Sequence, residues 1–333
     1  MRDPSQHPAT VDLAKVRDAA QRISHLVKRT PLYEVKGKWL PRSDVRLLLK
    51  LECQQTSGSF KARGARHFLS RLLEGPERPS GVVTYSSGNH GRAVAEAAQQ
   101  LGLTAVVTVP DDIDATKAEA IQAAHAELVK AGGTSTRREQ VARQLAQERG
   151  YALVPPFDHE WIVAGQGTVA LEIYEDVPDL AGLWVPVGGG GLAAGAVAAL
   201  GELRPGACIY AVEPEGAAPL AASLASGRRM DLERSDSMAD GLLPLGIGEL
   251  NWKIFLGSPV QSVTVSEHQI LDSLRRLRHD LRIAAEPSGA VAAAPLLFSH
   301  KTPAAEAASP GTHVAIVSGG NVSPERLTRL LEG

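Results

Sequence analysis

The sequence predicts an α/β protein built as two lobes, with parallel-rich sheets wrapped by helices. Three observations lead there. Short apolar runs alternate with amphipathic stretches in both halves of the chain, the pattern of parallel βαβ units. The 333 residues suffice for two cores of ordinary size, on a prior of about 150 residues per domain. Glycine-rich strings recur where strands give way to helices, and 32 glycines beside only 4% aromatic residues point to helices packed closely on sheets.

The elements follow in order. Val11 to Val27 carries Val11, Ala14, Ile23 and Leu26 at helical spacing, and Pro31 of RTPLY stops that helix. VRLLLKLE, Val45 to Glu52, has strand length, and Phe60 to Leu73 reads as a helix with Ser59 as its N-cap. Strand and helix then alternate through GVVTYS, NHGRAVAEAAQQLG, TAVVTVP, DATKAEAIQAAHA and ELVKAGG, ending in a helix from Ser135 to Arg149. In the second half, AGLWVPVGGGGLAAGAVAALGEL is strand, glycine turn and helix, and ACIYAVEP is another strand. The apolar pattern weakens between Gly227 and Glu249, where a long loop is expected. PVQSVTVSEHQILDSLRRLRHDL reads as strand then helix, SGAVAAAPLLF as a helix, SHKTPAAEAASPG as a polar connection and THVAIVSGGN as the last strand with its turn.

Composition narrows the function. The formal net charge is -2, with basic and acidic residues interspersed, so nothing favours nucleic acid or a membrane surface. No apolar run reaches spanning length, and MRDPSQHPAT lacks the apolar segment of a secretory signal. Cys53 and Cys208 make neither a disulfide framework nor a zinc pattern. A soluble cytoplasmic protein acting on a small molecule is expected.

Four strings fall at strand ends or helix starts: SGSFKARGA, SSGNHG, VGGGGL and SGGN. Parallel sheets gather ligands outside the carboxyl ends of their strands, so such loops converge on one crevice. Gly188 to Gly191 exposes consecutive backbone N–H groups before a helix whose positive end favours an anion. No Lys-Ser/Thr follows, and the G-x-G-x-x-G spacing fails, so a phosphate monoester suits the loop better than a dinucleotide. Lys61 opens a helix, whose positive end disfavours an ammonium and makes a neutral, nucleophilic amine easier to reach. A lone lysine is usually solvated. A lysine joined to a phosphate cradle that lacks its own lysine points to an aldehyde carrying one phosphate, pyridoxal phosphate. Asn89 suits that cofactor's phenolic oxygen, and the hydroxyls and backbone donors of SSGNHG suit an amino-acid carboxylate. His90, at a helix start, is more often a packing residue than a base. Ser318 places a hydroxyl where it can meet the pyridine nitrogen. Unlike a carboxylate, a hydroxyl leaves that nitrogen largely unprotonated, which favours expelling a β-leaving group over holding a carbanion.

With AGQGTVALEI (Ala164–Ile173), ADG (Ala239–Gly241) and EPSGA (Glu286–Ala290), these strings resemble the fold-type II pyridoxal-phosphate enzymes, of tryptophan synthase β-like architecture. Within them the chain is most similar to the serine/threonine dehydratases and serine racemases, from RTPLY to SGGNV. The resemblance implies an active site between the lobes, with residues 1–52 and 151–333 as the large cofactor-binding domain and 53–150 as the small one. It implies that Lys61 holds the cofactor as a Schiff base and serves as the si-face base, and that Phe60 packs by the ring. Asn89 would bond the phenolic oxygen, Gly188, Gly189, Gly190 and Gly191 the phosphate, and Ser318 the ring nitrogen. Ser86, Ser87, Asn89 and His90 would hold the substrate carboxylate, with Ser87 as the opposite-face acid/base in a racemase. The implied reaction converts a β-hydroxy amino acid to a 2-oxo acid and ammonia, with a serine-type racemase as the alternative, in a homodimer. Two departures stand out. The family's divalent-cation site pairs the Glu after a strand, here Glu213, with an acidic residue six positions on, where this chain has Pro219. Glu213 is therefore a weakened metal candidate, beside Glu286 and a monovalent ion held by carbonyls. Ahead of AGQG, Pro155 replaces a histidine and Trp161 is added, which suggests a bulkier β-substituent such as that of hydroxyaspartate or phenylserine.

Overall fold

Two sheets organise the chain in the computed structural model, which describes residues 11–36, 43–76, 78–86, 88–113, 115–297 and 302–332. The strands are β1 (Leu32–Val35), β2 (Val45–Lys50), β3 (Gly81–Thr84), β4 (Thr104–Val109), β5 (Glu127–Lys130), β6 (Ala152–Leu153), β7 (Leu180–Pro186), β8 (Cys208–Pro214), β9 (Val260–Val265) and β10 (Gly311–Ile316). One sheet has the order β1-β2-β10-β7-β8-β9 and is parallel except for the antiparallel pair β1–β2. The other has the order β5-β4-β3-β6 and is parallel throughout. Strands covered on both faces favour apolar side chains at nearly every position, which is why β7 reads as an unbroken apolar run and β3 and β8 are interrupted only by Thr84 and Glu213.

The helices that frame the site are α1 (Leu13–Ile23), α2 (Lys61–Glu74), α3 (Asn89–Leu101), α4 (Ala115–Gln122), α5 (Ser135–Arg149), α6 (Glu160–Asp176), α7 (Gly191–Leu203), α8 (Pro219–Ser226), α9 (Glu249–Leu256) and α10 (Glu267–His279). One core lies between α1, α6, α7 and the larger sheet, and a second covers that sheet's other face. The smaller sheet packs its own core against α2 and α3. Where α6 crosses its neighbours, the backbones nearly touch. A Cβ on Gly165 would lie 2.7 Å from Gly64 Cα, and one on Gly195 would lie 2.6 Å from Gly167 N. The AGQG string is thus a spacer that lets α6 meet α2 on one side and α7 on the other.

Three departures from the sequence reading have identifiable physical causes. The expected helix SGAVAAAPLLF breaks into helical turns at Pro287–Ala290 and Ala294–Leu297 around a 3-10 turn at Val291–Ala293. Pro295 lacks an N–H and its ring crowds the carbonyl one turn back, so a continuous helix is disfavoured. Leu32–Val35 forms an edge strand paired with β2, although its half-exposed pattern carries little alternation. Helices α8 and α9 lie in stretches with no helical reading, because the groups that cap them lie outside the usual N-cap position, on the preceding strand for α8 and far back in the chain for α9. Glu213 accepts from the first-turn N–H groups of α8, and Asp158 from those of α9. No helix among the described residues is long and apolar enough to cross a membrane.

Candidate active site

The loop before α2 lies against the turn after β10. Phe60 N–H donates to Ser318 O at 3.0 Å, Gly320 N–H donates to Gly58 O at 2.9 Å, and Ser59 bridges Gly319. These backbone bonds set the start of α2. Phe60 occupies the cap position in the right-handed region without a side-chain bond, and Ser59 Oγ is buried without a partner. The expected serine cap is therefore absent, because the chain there is already held by the β10 turn.

Lys61 Nζ donates to Pro156 O at 2.8 Å and stands 5.1 Å from the centre of the Phe60 ring. Burial pushes its amine down to about 8, since a charge loses hydration there. The direction is the one expected from the helix end, but its cause in the structure is burial. A neutral amine attacks an aldehyde and an ammonium does not. The rate at which the apoprotein captures pyridoxal phosphate, followed by visible absorbance, is therefore expected to rise with pH through a midpoint near 8. A rate that is flat across that midpoint would contradict this.

Asn89 begins α3 at the carboxyl end of β3. Its Nδ2 donates to Glu286 Oε1 at 2.5 Å, and its Oδ1 accepts from Asn321 Nδ2 at 2.7 Å. Asn321 also donates to Ser57 O at 2.8 Å, and Arg92 donates to Asn321 Oδ1 at 2.9 Å. This network orients the Asn89 amide and leaves its second N–H for a ligand. Glu286 N–H donates to Gly319 O at 3.0 Å, and a Cβ on Gly319 would lie 2.2 Å from Glu286 Oε1, so any larger residue there would displace the Glu286 carboxyl. Burial pushes the Glu286 carboxyl up to about 7, against the pull of the Asn89 bond. Ser318 is buried, and its Oγ donates to Ser288 O at 3.3 Å.

His90 is buried, with Nε2 donating to Val154 O at 3.4 Å and Nδ1 without a partner. Burial, helped by the nearby Lys61 charge, pushes it down to about 3, so the ring is neutral. Any service to a carboxylate comes from backbone N–H at this helix start, not from an imidazolium. Ser86 is partly buried at the end of β3, and its carbonyl faces Gly91, where a Cβ would lie only 1.8 Å away. Ser87 lies outside the described residues.

Gly188 to Gly191 joins β7 to α7 and is buried. None of the four N–H groups is taken by a carbonyl or side chain among the described residues. Gly190 has φ 93°, a left-handed conformation that favours glycine. Gly189 O accepts from Asn251 Nδ2 at 2.8 Å and from Gly248 N–H at 3.1 Å, which turns the loop's donors the other way. The Phe157 ring lies against Gly189, where a Cβ would come within 2.4 Å of its atoms. Pro156 and Phe157 thereby tie the lysine amine and the glycine loop to one short backbone segment. A neutralisable amine, open N–H groups at a helix start, an oriented amide and a buried hydroxyl together fit an aldehyde cofactor bearing one phosphate.

Two expected features lie elsewhere. Both oxygens of Glu213 accept from Leu220 and Ala221 N–H at 2.8 Å, so the buried carboxyl caps α8, and burial pushes it up to about 7. Among the described residues, no group of three or more His, Cys, Asp or Glu could hold a metal. Trp161 packs edge-on against Phe68 and His159 at 5.3 and 5.1 Å, with Arg71 over its ring. It thereby contributes to the packing between α2 and α6. Sequence reasoning missed the Pro156 carbonyl, the Phe157 ring and the orienting role of Asn321. Only Asn321 had a local signal, as the last residue of SGGN.

The family model described as pyridoxal-phosphate dependent enzyme matches residues 23–319. The chain is 35% identical to the L-threo-3-hydroxyaspartate ammonia-lyase of Saccharomyces cerevisiae over 96% of its own length and 95% of that protein's. It is similar to the crystal structure of a pyridoxal 5'-phosphate-dependent aspartate racemase, with a TM-score of 0.90, 30% identity, and coverage of 96% of this chain and 98% of that one. The crystal structure of a T.th. threonine deaminase matches with a TM-score of 0.86 and 38% identity, over 94% and 99% of the two chains.

Proposed function

Because the chain belongs to the family of pyridoxal-phosphate dependent enzymes, we propose that it is an ammonia-lyase acting on β-hydroxy amino acids. The observation that carries this reading is the hydroxyl of Ser318 at the carboxyl end of β10, one backbone bond from the segment that holds Lys61. A neutral donor at a ring nitrogen favours departure of a β-group. When bound, pyridoxal phosphate supplies an electron sink for the substrate's α-carbon. Lys61 Nζ anchors it and, as a neutral amine, accepts the α-proton of the substrate. The N–H groups of Gly188–Gly191 hold the phosphate, and the second N–H of Asn89 meets the phenolic oxygen. Backbone donors at the start of α3, with Ser86, take the substrate carboxylate. Loss of the β-hydroxyl as water, followed by addition of water, yields a 2-oxo acid and ammonia, so the net change is release of ammonia alone.

The similarity to hydroxyaspartate ammonia-lyase and threonine deaminase supports this chemistry, and an aspartate racemase at high structural similarity supplies the competing reaction. Holoenzyme incubated with L-threo-3-hydroxyaspartate, L-serine, L-threonine and phenylserine is expected to release 2-oxo acid and ammonia from at least one. Chiral chromatography of the remaining amino acid reads the alternative in the same tube. Inversion without oxo acid would replace the lyase by a racemase.

A further inference from the structure

Arg63 lies two residues beyond Lys61 on α2 and is fully buried. Its guanidinium is gripped by two carboxylates. Nε and Nη2 donate to Glu52 Oε2 and Oε1 at 2.8 and 2.7 Å, while Nη1 and Nη2 donate to Glu172 Oε1 and Oε2 at 2.7 and 2.9 Å. Thr168 Oγ1 and Lys28 O accept further N–H groups at 3.2 and 3.3 Å. Lys50, also buried, donates to Glu172 Oε2 at 2.6 Å and to Thr30 O at 2.7 Å, and Thr30 Oγ1 donates to Glu52 Oε1 at 2.5 Å. Burial pushes the Glu52 carboxyl up, but the Arg63 charge beside it outweighs this and leaves it below its ordinary value.

A buried cluster of two cations and two anions is a poor way to gain stability. Its mutual attraction roughly returns the cost of dehydrating the ions, and well-packed apolar residues often do as well. Paired forks instead fix direction, because a planar guanidinium satisfies two carboxylates in only one orientation. Here the forks join three elements. Glu52 follows β2, Thr168 and Glu172 share one face of α6, and Arg63 lies on the helix that begins with Lys61. The backbone contacts continue the connection. Gly64 meets Gly165 between α2 and α6, and Gly167 meets Gly195 between α6 and α7, whose first turn follows the glycine loop.

We infer that Arg63 is a positioning residue: through Glu52 and Glu172 it sets where the Lys61 amine stands relative to the Gly188–Gly191 loop. The inference rests on the reading of Lys61 as the cofactor-bearing amine. Arg63→Lys keeps the charge and loses the fork. Full-length wild type, Arg63→Lys and Glu172→Gln are compared by the pH midpoint of pyridoxal-phosphate capture, by kcat and KM on the panel's best substrate, and by urea unfolding. A loosened helix start lets water reach the amine, so Arg63→Lys is expected to raise the capture midpoint by roughly one unit. Its kcat is expected to fall at least about tenfold with KM within about twofold. Glu172→Gln, which leaves the Glu52 fork intact, is expected to move both in the same direction by less, and it decides the matter if Arg63→Lys does not fold. Capture midpoint and kcat at wild-type values, with only the urea midpoint lowered, would make the cluster purely structural and overturn the inference. If wild type releases no oxo acid, the lyase reading fails, yet the capture midpoint still tests Arg63, because it needs only the apoprotein and the cofactor.

Discussion

Lys61→Ala, purified in the presence of pyridoxal phosphate, is expected to be folded and colourless. Wild type should show visible absorbance from the lysine-bound cofactor, and the variant should lack it. Release of 2-oxo acid should drop by at least about a thousandfold, since both the anchor and the α-proton acceptor are gone. The size of the effect follows from chemistry, while the survival of the fold follows from energetics. Removing the amine strands the Pro156 carbonyl it served, at a cost of about 1–3 kcal/mol. Against that, the fold no longer holds an amine whose charged form burial disfavours, a burden visible in its depression to about 8. The two contributions are of opposite sign, so thermal unfolding should move little. A variant that keeps the visible band would remove Lys61 from its assigned role.

Gly189→Ala is expected to weaken cofactor binding more than any other single methyl added to the loop. The new Cβ would lie 2.4 Å from the Cγ, Cδ1 and Cδ2 atoms of Phe157, so the ring must move. The backbone that carries the ring is tied to the site on both sides. Asn251 Nδ2 holds the Phe157 carbonyl at 3.3 Å, and the preceding carbonyl holds Lys61 Nζ. Overpacking of this kind costs about 1–3 kcal/mol, and displacement of the segment reaches both the phosphate cradle and the amine. Spectrophotometric titration of the apoprotein should give a Kd for pyridoxal phosphate about tenfold to a hundredfold higher than wild type. Gly201→Ala is the control, for a Cβ there meets nothing within 4 Å near the end of α7, and helix propensity makes it neutral or slightly favourable. Equal affinity in Gly189→Ala and wild type would separate the loop from phosphate binding.

The alternation of strand and helix was legible because its causes are local. Doubly covered strands such as β7 and β8 must be apolar at nearly every position, and helices write their faces at a period of 3.6 residues. Helices α8 and α9 escaped notice for the complementary reason. Neither is capped from the usual N-cap position: Glu213 reaches α8 from the end of the preceding strand, seven residues back, and the Asp158 carboxylate is 91 residues from the N–H it meets on Glu249.

The same division runs through the site. By itself the sequence determined its chemical parts: a lysine opening a helix, a glycine run opening another, an asparagine and a serine at strand ends. Each depends on residue type and on backbone direction at a helix start, both set within a few positions. Only the tertiary structure decided how those parts are tuned. It replaced the helix end by burial as the reason the Lys61 amine is held near 8. It turned Glu213 into a helix cap and brought Asn89 to Glu286 and Asn321 across 197 and 232 residues. Dehydration and long-range hydrogen bonding depend on which distant segments pack together, and no short stretch of sequence records its eventual neighbours.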